Sequence, residues 1–172
     1  MLENKTHRLR AVEPSDAEQL HRIENTSDEW WLGSNLAPFS QATLQHYSEG
    51  QYDLWRDLQL RMMIEVKQGN KRSIGAVDLY QLDPRNRRAG VGIVIEEEER
   101  RNGNGRSALG LLSDYAFGHL GLHQLWAEVP ESNGESINLF LRAGFERKGT
   151  MQDWIWRGTD WQNACWMQKI GD

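Results

Sequence analysis

The sequence is nearly without cysteine. A single thiol in 172 residues, Cys165, excludes an internal disulfide and a cysteine cage around a metal, and it fits a reducing compartment. Long apolar runs are missing too. None approaches the roughly 20 residues a spanning helix needs, and the start, MLENKTHRLR, lacks the apolar centre of a secretory leader. A cytoplasmic protein with no membrane partner is expected. Positive charge is short: 20 Lys and Arg face 25 Asp and Glu, for a formal net charge of −5. That balance speaks against a nucleic-acid partner and suits a basic substrate, which the summed field draws inward. Proline is scarce at 4. With no linker, repeat or low-complexity tract to divide it, the chain reads as one domain, 1–172.

What is present is an ordinary globular composition, 38% hydrophobic and 26% charged, with α and β segments interleaved. THRLRAV reads as a first strand. Ser15 and Glu18 form a capping-box signature ahead of Ala17, Leu20 and Ile23 at helical spacing. After the polar stretch NTSDEWWLGSNLAPFS, Leu44, Tyr47, Trp55 and Leu58 suggest more helical turns, broken at Gly50. QLRMMIEV, RSIGAVDLY and AGVGIVI, joined by KQGNK and LDPRNRR, read as an antiparallel meander. Ala108, Leu111, Leu112, Tyr115, Ala116 and His119 mark one face of a helix from about 105 to 119. The strand LWAEV follows, then a short helix through Ser136, Leu139, Phe140 and Ala143 that Gly144 should stop. The last 26 or so residues read as a hairpin turning at Arg157-Gly158-Thr159-Asp160. Cys165, within NACWMQKI, reads as a small core residue. The fold class expected is α/β (α+β), a mixed and mostly antiparallel sheet with flanking helices.

The chemistry concentrates in ERRNGNGRSALG. Its glycines permit a tight turn with inward N–H groups, and the helix that follows adds the positive end of its dipole, so main chain alone can hold an anion. Arginine forks at the rim match phosphate oxygens. The bland alternative is a loop of solvated arginines balancing Glu96 to Glu99. A dinucleotide fingerprint, Gly103-x-Gly105-x-x-Ala108 with Glu128 further on, fails on spacing. Seven residues separate Ile95 from Gly103, where a Rossmann glycine leaves its strand almost directly.

Arg100-Arg101-Asn102-Gly103-Asn104-Gly105 resembles the acetyl-CoA loop of the GNAT superfamily of acyltransferases, Arg/Gln-x-x-Gly-x-Gly/Ala between strand and helix. Two later segments, Asn133 to Phe140 leading to Gly144-Phe145, and Gly158 to Asn163 with Met167, resemble that superfamily's branch of ribosomal-protein N-terminal and spermidine acetyltransferases. The resemblance runs from about residue 8 to 170 in element order.

It implies an acetyl-CoA-dependent N-acetyltransferase acting on a primary amine: a protein or peptide N-terminus, a polyamine or another small amine. No metal is called for, and a homo-oligomer is left open. A CoA-binding module without catalysis is the alternative, and an interaction protein using its eight tryptophans as a surface is a third reading. In the family a splayed strand bonds the pantetheine arm through free backbone groups, here Ile93, Val94 and Ile95. Arg100, Arg101, Asn102, Gly103, Asn104, Gly105 and Arg106 would take the pyrophosphate, with Gly105 expected in the left-handed region and facing the phosphates. Asn133, Ser136 and Phe140 would border the thioester, although Asn133 also suits a helix cap. Two catalytic groups of many relatives are absent, since Gly90 stands where several have glutamate and Phe140 where many have the acid tyrosine. Asp78 is the leading candidate to accept the amine's proton, ahead of Glu128 and Tyr80, with a solvent-facing structural carboxylate as its plainer role. Asp28 and Trp30, in Ser27-Asp28-Glu29-Trp30-Trp31, would meet a cationic amine.

Overall fold

A computed structural model describes residues 2–25, 37–50, 53–69 and 72–171. Four strands run antiparallel in sequence: β1 (His7–Ala11), β2 (Leu60–Val66), β3 (Arg72–Asp83) and β4 (Arg88–Ile95). β5 (Gln124–Pro130) then lies parallel to β4, and the hairpin of β6 (Glu146–Trp156) and β7 (Trp161–Ile170) completes a seven-stranded sheet in the order β1-β2-β3-β4-β5-β7-β6. The one parallel pair needs a crossover, which α4 (Asn104–Gly118) supplies. The expected mixed, mostly antiparallel sheet is the one observed.

Alternation along the strands sets the layers. Met62 and Ile64 of β2 join one apolar cluster with Leu79, Leu109, Leu112 and Leu125, while Met63 between them joins another with Leu20, Leu44 and Ala76. The first cluster lies under α4 and α5 (Gly134–Arg142). The second lies under α1 (Ala17–Glu24) and α2 (Gln41–Glu49). Each fully buried leucine contributes about 1.5–3 kcal/mol to holding a helix on its face. Cys165 is buried in the first cluster, where burial pushes its thiol up.

Local signals held with small shifts. The capping box sits earlier than Ser15 and Glu18: Glu13 caps a 3₁₀ turn, Pro14–Asp16, and Asp16 returns the bond to the Glu13 N–H at 2.8 Å. Glu13 takes the role because Pro14, without an N–H, favours the first turn position. α2 ends at Gly50, and a single turn, α3 (Leu54–Asp57), precedes β2. Gly144, at φ 88°, stops α5, and Gly158, at φ 91°, turns the last hairpin. Among the described residues no helix is long and apolar enough to cross a membrane.

Candidate active site

β4 and β5 pair only at Arg88↔Gln124, Ala89↔Leu125 and Gly90↔Trp126, although the strands run on to Ile95 and Pro130. Beyond Gly90 they part. The backbone groups that β4 turns toward β5 from Val91 to Ile95 therefore have no strand partner there. That free edge contains Ile93, Val94 and Ile95, and an extended chain with amide groups can add to it as a strand would.

The chain leaves this edge through a 3₁₀ turn, Glu97–Glu99, and enters α4 at Gly103, whose φ of 81° is left-handed. No side chain caps the helix start, so the N–H groups of Asn104, Gly105 and Arg106 are those an anion would meet. Arg101, itself at φ 64°, reaches across to Glu135 at 3.3 Å in a largely exposed pair, while Arg100 Nε turns back to the Ile95 carbonyl at 2.9 Å. Asn104 is buried and bonds His7 Nε2 at 2.9 Å through Oδ1 and the Glu99 carbonyl at 2.9 Å through Nδ2. These bonds fix the turn. The expectation for Gly105 needs correcting: it lies inside α4, and a Cβ there would meet Leu139 at 3.0 and 3.1 Å and Ile95 at 3.3 Å. Its missing side chain lets α4 sit close on α5 and β4, whereas Gly103 takes the left-handed angle and has open space. A cavity of about 420 Å³ beside the turn is lined by Gly103, Arg106 and Ser107, but also by Glu3 and Asp114. Those carboxylates disfavour phosphates in the cavity itself and leave the amide turn as the better cradle.

On the sheet face under α1 and α2, Asp78 does not stand free. Its two oxygens accept Arg61 Nε at 2.7 Å and Nη2 at 3.0 Å, and Arg61 Nη1 reaches Glu24 of α1 at 2.5 Å. Burial works to lower the Arg61 guanidinium, yet Asp78 and then Glu24 outweigh it and hold it above its ordinary value. Both oxygens of Asp78 are thus engaged by Arg61, rather than standing free in solvent as its plainer role had it.

Two residues along β3, the Tyr80 ring lies on Gly90: a Cβ there would stand 2.5 Å from Tyr80 Cε2. The ring occupies the space that a side chain at Gly90 would need. Tyr80 meets Trp126 edge-on, centroids 5.2 Å apart, and its phenol is pushed up by burial first, then by the negative charges of Glu128 and Asp78. Glu128, one strand turn beyond Trp126, lies inside the opening and accepts Trp154 Nε1 at 2.8 Å.

The remaining candidates separate. Asn133 caps α5, its Oδ1 accepting the Ser136 N–H at 3.0 Å, and Phe140 is buried edge-on against Phe145 at 5.0 Å. Both stand on the helix that borders the opening's far side. Asp28 and Trp30 lie outside the described residues. Sequence reasoning missed Arg61, Glu24, Trp154 and Trp166. The spacing of Arg61 and Asp78 on strands joined by a short turn was the available signal for the first pair; the others needed coordinates.

Residues 7–146 match the model of a family described as acetyltransferase (GNAT) domain. Spermidine N(1)-acetyltransferase of Vibrio cholerae is 27% identical over 143 residues, 82% of this chain and 79% of that protein. The Escherichia coli K12 enzyme of the same name is 25% identical over 162 residues, 93% and 83% of the two chains. The crystal structure of the V. cholerae enzyme in complex with CoA and spermine shares the fold at a TM-score of 0.83, 23% identity and coverage of 97% and 96%. A dodecameric structure of that enzyme gives 0.78 at 25% identity, covering 97% and 95%.

Proposed function

The chain belongs to the GNAT acetyltransferase family, and from that premise we propose that the primary amine it acetylates is a polyamine. It is an N-acetyltransferase with acetyl-CoA as co-substrate, which supplies the acetyl group as an activated thioester. We assign the pantetheine arm to the unpaired edge at Ile93, Val94 and Ile95. The diphosphate falls to the amides of Asn104, Gly105 and Arg106, with Arg100 and Arg101 at the rim, Asn102 and Gly103 shaping the turn, and Asn133, Ser136 and Phe140 bordering the thioester end.

The observation that carries the polyamine reading is charge. Beside the opening, Glu24 and Asp78 share the single Arg61 guanidinium, and Glu128 adds a third carboxylate near Tyr80, whose phenol is pushed up by burial first and then by Glu128 and Asp78. A polycation relieves that excess of negative charge. The names of the V. cholerae and E. coli relatives support the same class. Arg61 and Asp78 orient the face the amine crosses, the proton passes to water, and holding amine and thioester together supplies much of the acceleration. Phe140 donates no proton, so the thiolate leaves without a side-chain acid at that position.

We place the protein in the cytoplasm as one domain that forms a homo-oligomer. The dodecamer of the V. cholerae enzyme supports assembly, as do Trp156 and Trp161, half-exposed and 5.2 Å apart at the end of the last hairpin.

Thiol release from acetyl-CoA with spermidine, spermine, a serine-led peptide and glucosamine tests the reading. The polyamines are expected to give the highest kcat/KM. A peptide preferred over both polyamines by tenfold or more, in the sense of about 1.4 kcal/mol of transition-state binding, overturns it.

A further inference from the structure

Three tryptophans on three adjacent strands close around one carboxylate. Trp126 of β5 and Trp166 of β7 stack with centroids 4.9 Å apart and planes 13° from parallel. Trp154 of β6 turns its indole N–H to Glu128 Oε2 at 2.8 Å, so a ring and a carboxylate are held side by side. Together with Met151 these residues line a cavity of about 510 Å³. Arg88 and Asp83 also line it, but they pair with each other at 3.2 Å, which leaves Glu128 as the charge that faces the cavity.

Such a lining has a definite chemistry. Indole faces present negative π density, and a nearby carboxylate adds a full charge, so an alkylammonium gains from both while its methylenes lie on apolar rings. A neutral ligand would leave Glu128 uncompensated, and an anion would be repelled. Placement matters equally: Trp126 is the last residue of β5 to pair with β4, so the pocket starts where the strands part.

We infer that this pocket binds the ammonium group of the acceptor that is not acetylated. This rests on the polyamine reading above and adds the residues that would select for it: Trp126, Trp154, Trp166 and Glu128. A diamine would bridge from the pocket to the opening. A monoamine, having nothing to place there, would lose that selection.

Tetramethylammonium, which has no N–H to acetylate, probes the pocket apart from catalysis. Its titration against the full chain is followed by the indole N–H resonances, that of Trp154 being identified by its disappearance in Trp154→Phe. A saturable shift is expected at Trp154, absent with the neutral isostere 2,2-dimethylpropanol and weakened roughly tenfold in Glu128→Gln. In turnover, Glu128→Gln and Trp154→Ala should raise KM for spermidine roughly tenfold with kcat within about twofold, and Trp154→Phe should recover part of the loss. KM for n-butylamine should move by much less than that for spermidine. Equal shifts with the neutral alcohol, or unchanged spermidine KM in both variants, overturn the pocket and leave the polyamine reading standing. Tetramethylammonium binding without any turnover of polyamine supports the pocket as a cation site and removes the polyamine reading.

Discussion

Gly90 shows how one missing side chain reshapes a site. Its Cα hydrogen faces the Tyr80 ring so closely that an added Cβ would overlap Cε2 and Cζ at 2.5 and 2.6 Å. Gly90→Ala should therefore cost about 1–3 kcal/mol of stability, the usual scale of overpacking. In a Tyr80→Ala background the same change should cost much less, and a double-mutant cycle in urea reads the difference. Additive costs would show that Tyr80 is not the obstacle. Gly90→Glu should lower kcat/KM, because a carboxylate enters at this position only by expelling the ring. Asp78 is the second case at this scale. Asp78→Asn removes charge from two bonds to Arg61, worth about 1.5–3 kcal/mol of stability for bonds to a charged group. Its activity should fall by a factor that does not vary with pH, since an orienting group acts alike on both forms of the amine. A deficit that closes at high pH, where the amine arrives deprotonated, would return Asp78 to the role of proton acceptor. The sequence showed Asp78 as a strand carboxylate near the right place. The strand spacing hinted at Arg61 across the turn, 17 residues away, but not that it would take both oxygens or that Glu24, on another element, would hold it in turn.

At the scale of elements, the loop from β4 into α4 was the most legible part of the chain. Its pattern needs few long-range contacts: a strand end, a left-handed glycine and an uncapped helix start are local matters. What the pattern hid was which glycine does which work. Gly103 carries the backbone angle, while Gly105 carries the packing of α4 on Leu139 and Ile95. The two should respond differently. Gly105→Val should lower the melting temperature and CoA affinity together, since its branched side chain pushes α4 off α5 and moves the amides with it. Arg106→Ala should lower CoA affinity, by calorimetry, with little change in melting. A Gly105→Val protein of parental stability and affinity would place the diphosphate elsewhere. The aromatic pocket was invisible for the opposite reason: Trp126, Trp154 and Trp166 come together only through the order β5-β7-β6, which no local signal specifies.

At the scale of the whole molecule, the face we assign to the acceptor is linked through α1 to a clamp at the far end of the sheet. Arg10 of β1 bonds both oxygens of Asp16 at 2.7 and 2.8 Å, Glu65 of β2 at 3.1 Å and Ser73 of β3 at 2.5 Å, tying three strands to the turn that starts α1. α1 in turn delivers Glu24 to Arg61. Both carboxylates of the clamp are held below their ordinary values of 3.8 and 4.5. Burial pushes each up, but Arg10 and the Glu13 N–H outweigh it at Asp16, and Arg8 with Arg10 outweigh it at Glu65. A group whose value is depressed by folding stabilises fully above its ordinary value and loses that contribution as pH falls through the folded one. Melting temperature should then stay level from neutral pH to about 5 and drop below about 4. Arg10→Ala should melt lower at pH 7 and show a shallower acid drop, because the carboxylates it leaves behind return toward ordinary values. Acid slopes that match in parent and variant would assign the loss to other carboxylates. If the clamp also sets α1, the same variant should raise KM for spermidine, since Glu24 would no longer be fixed against Arg61.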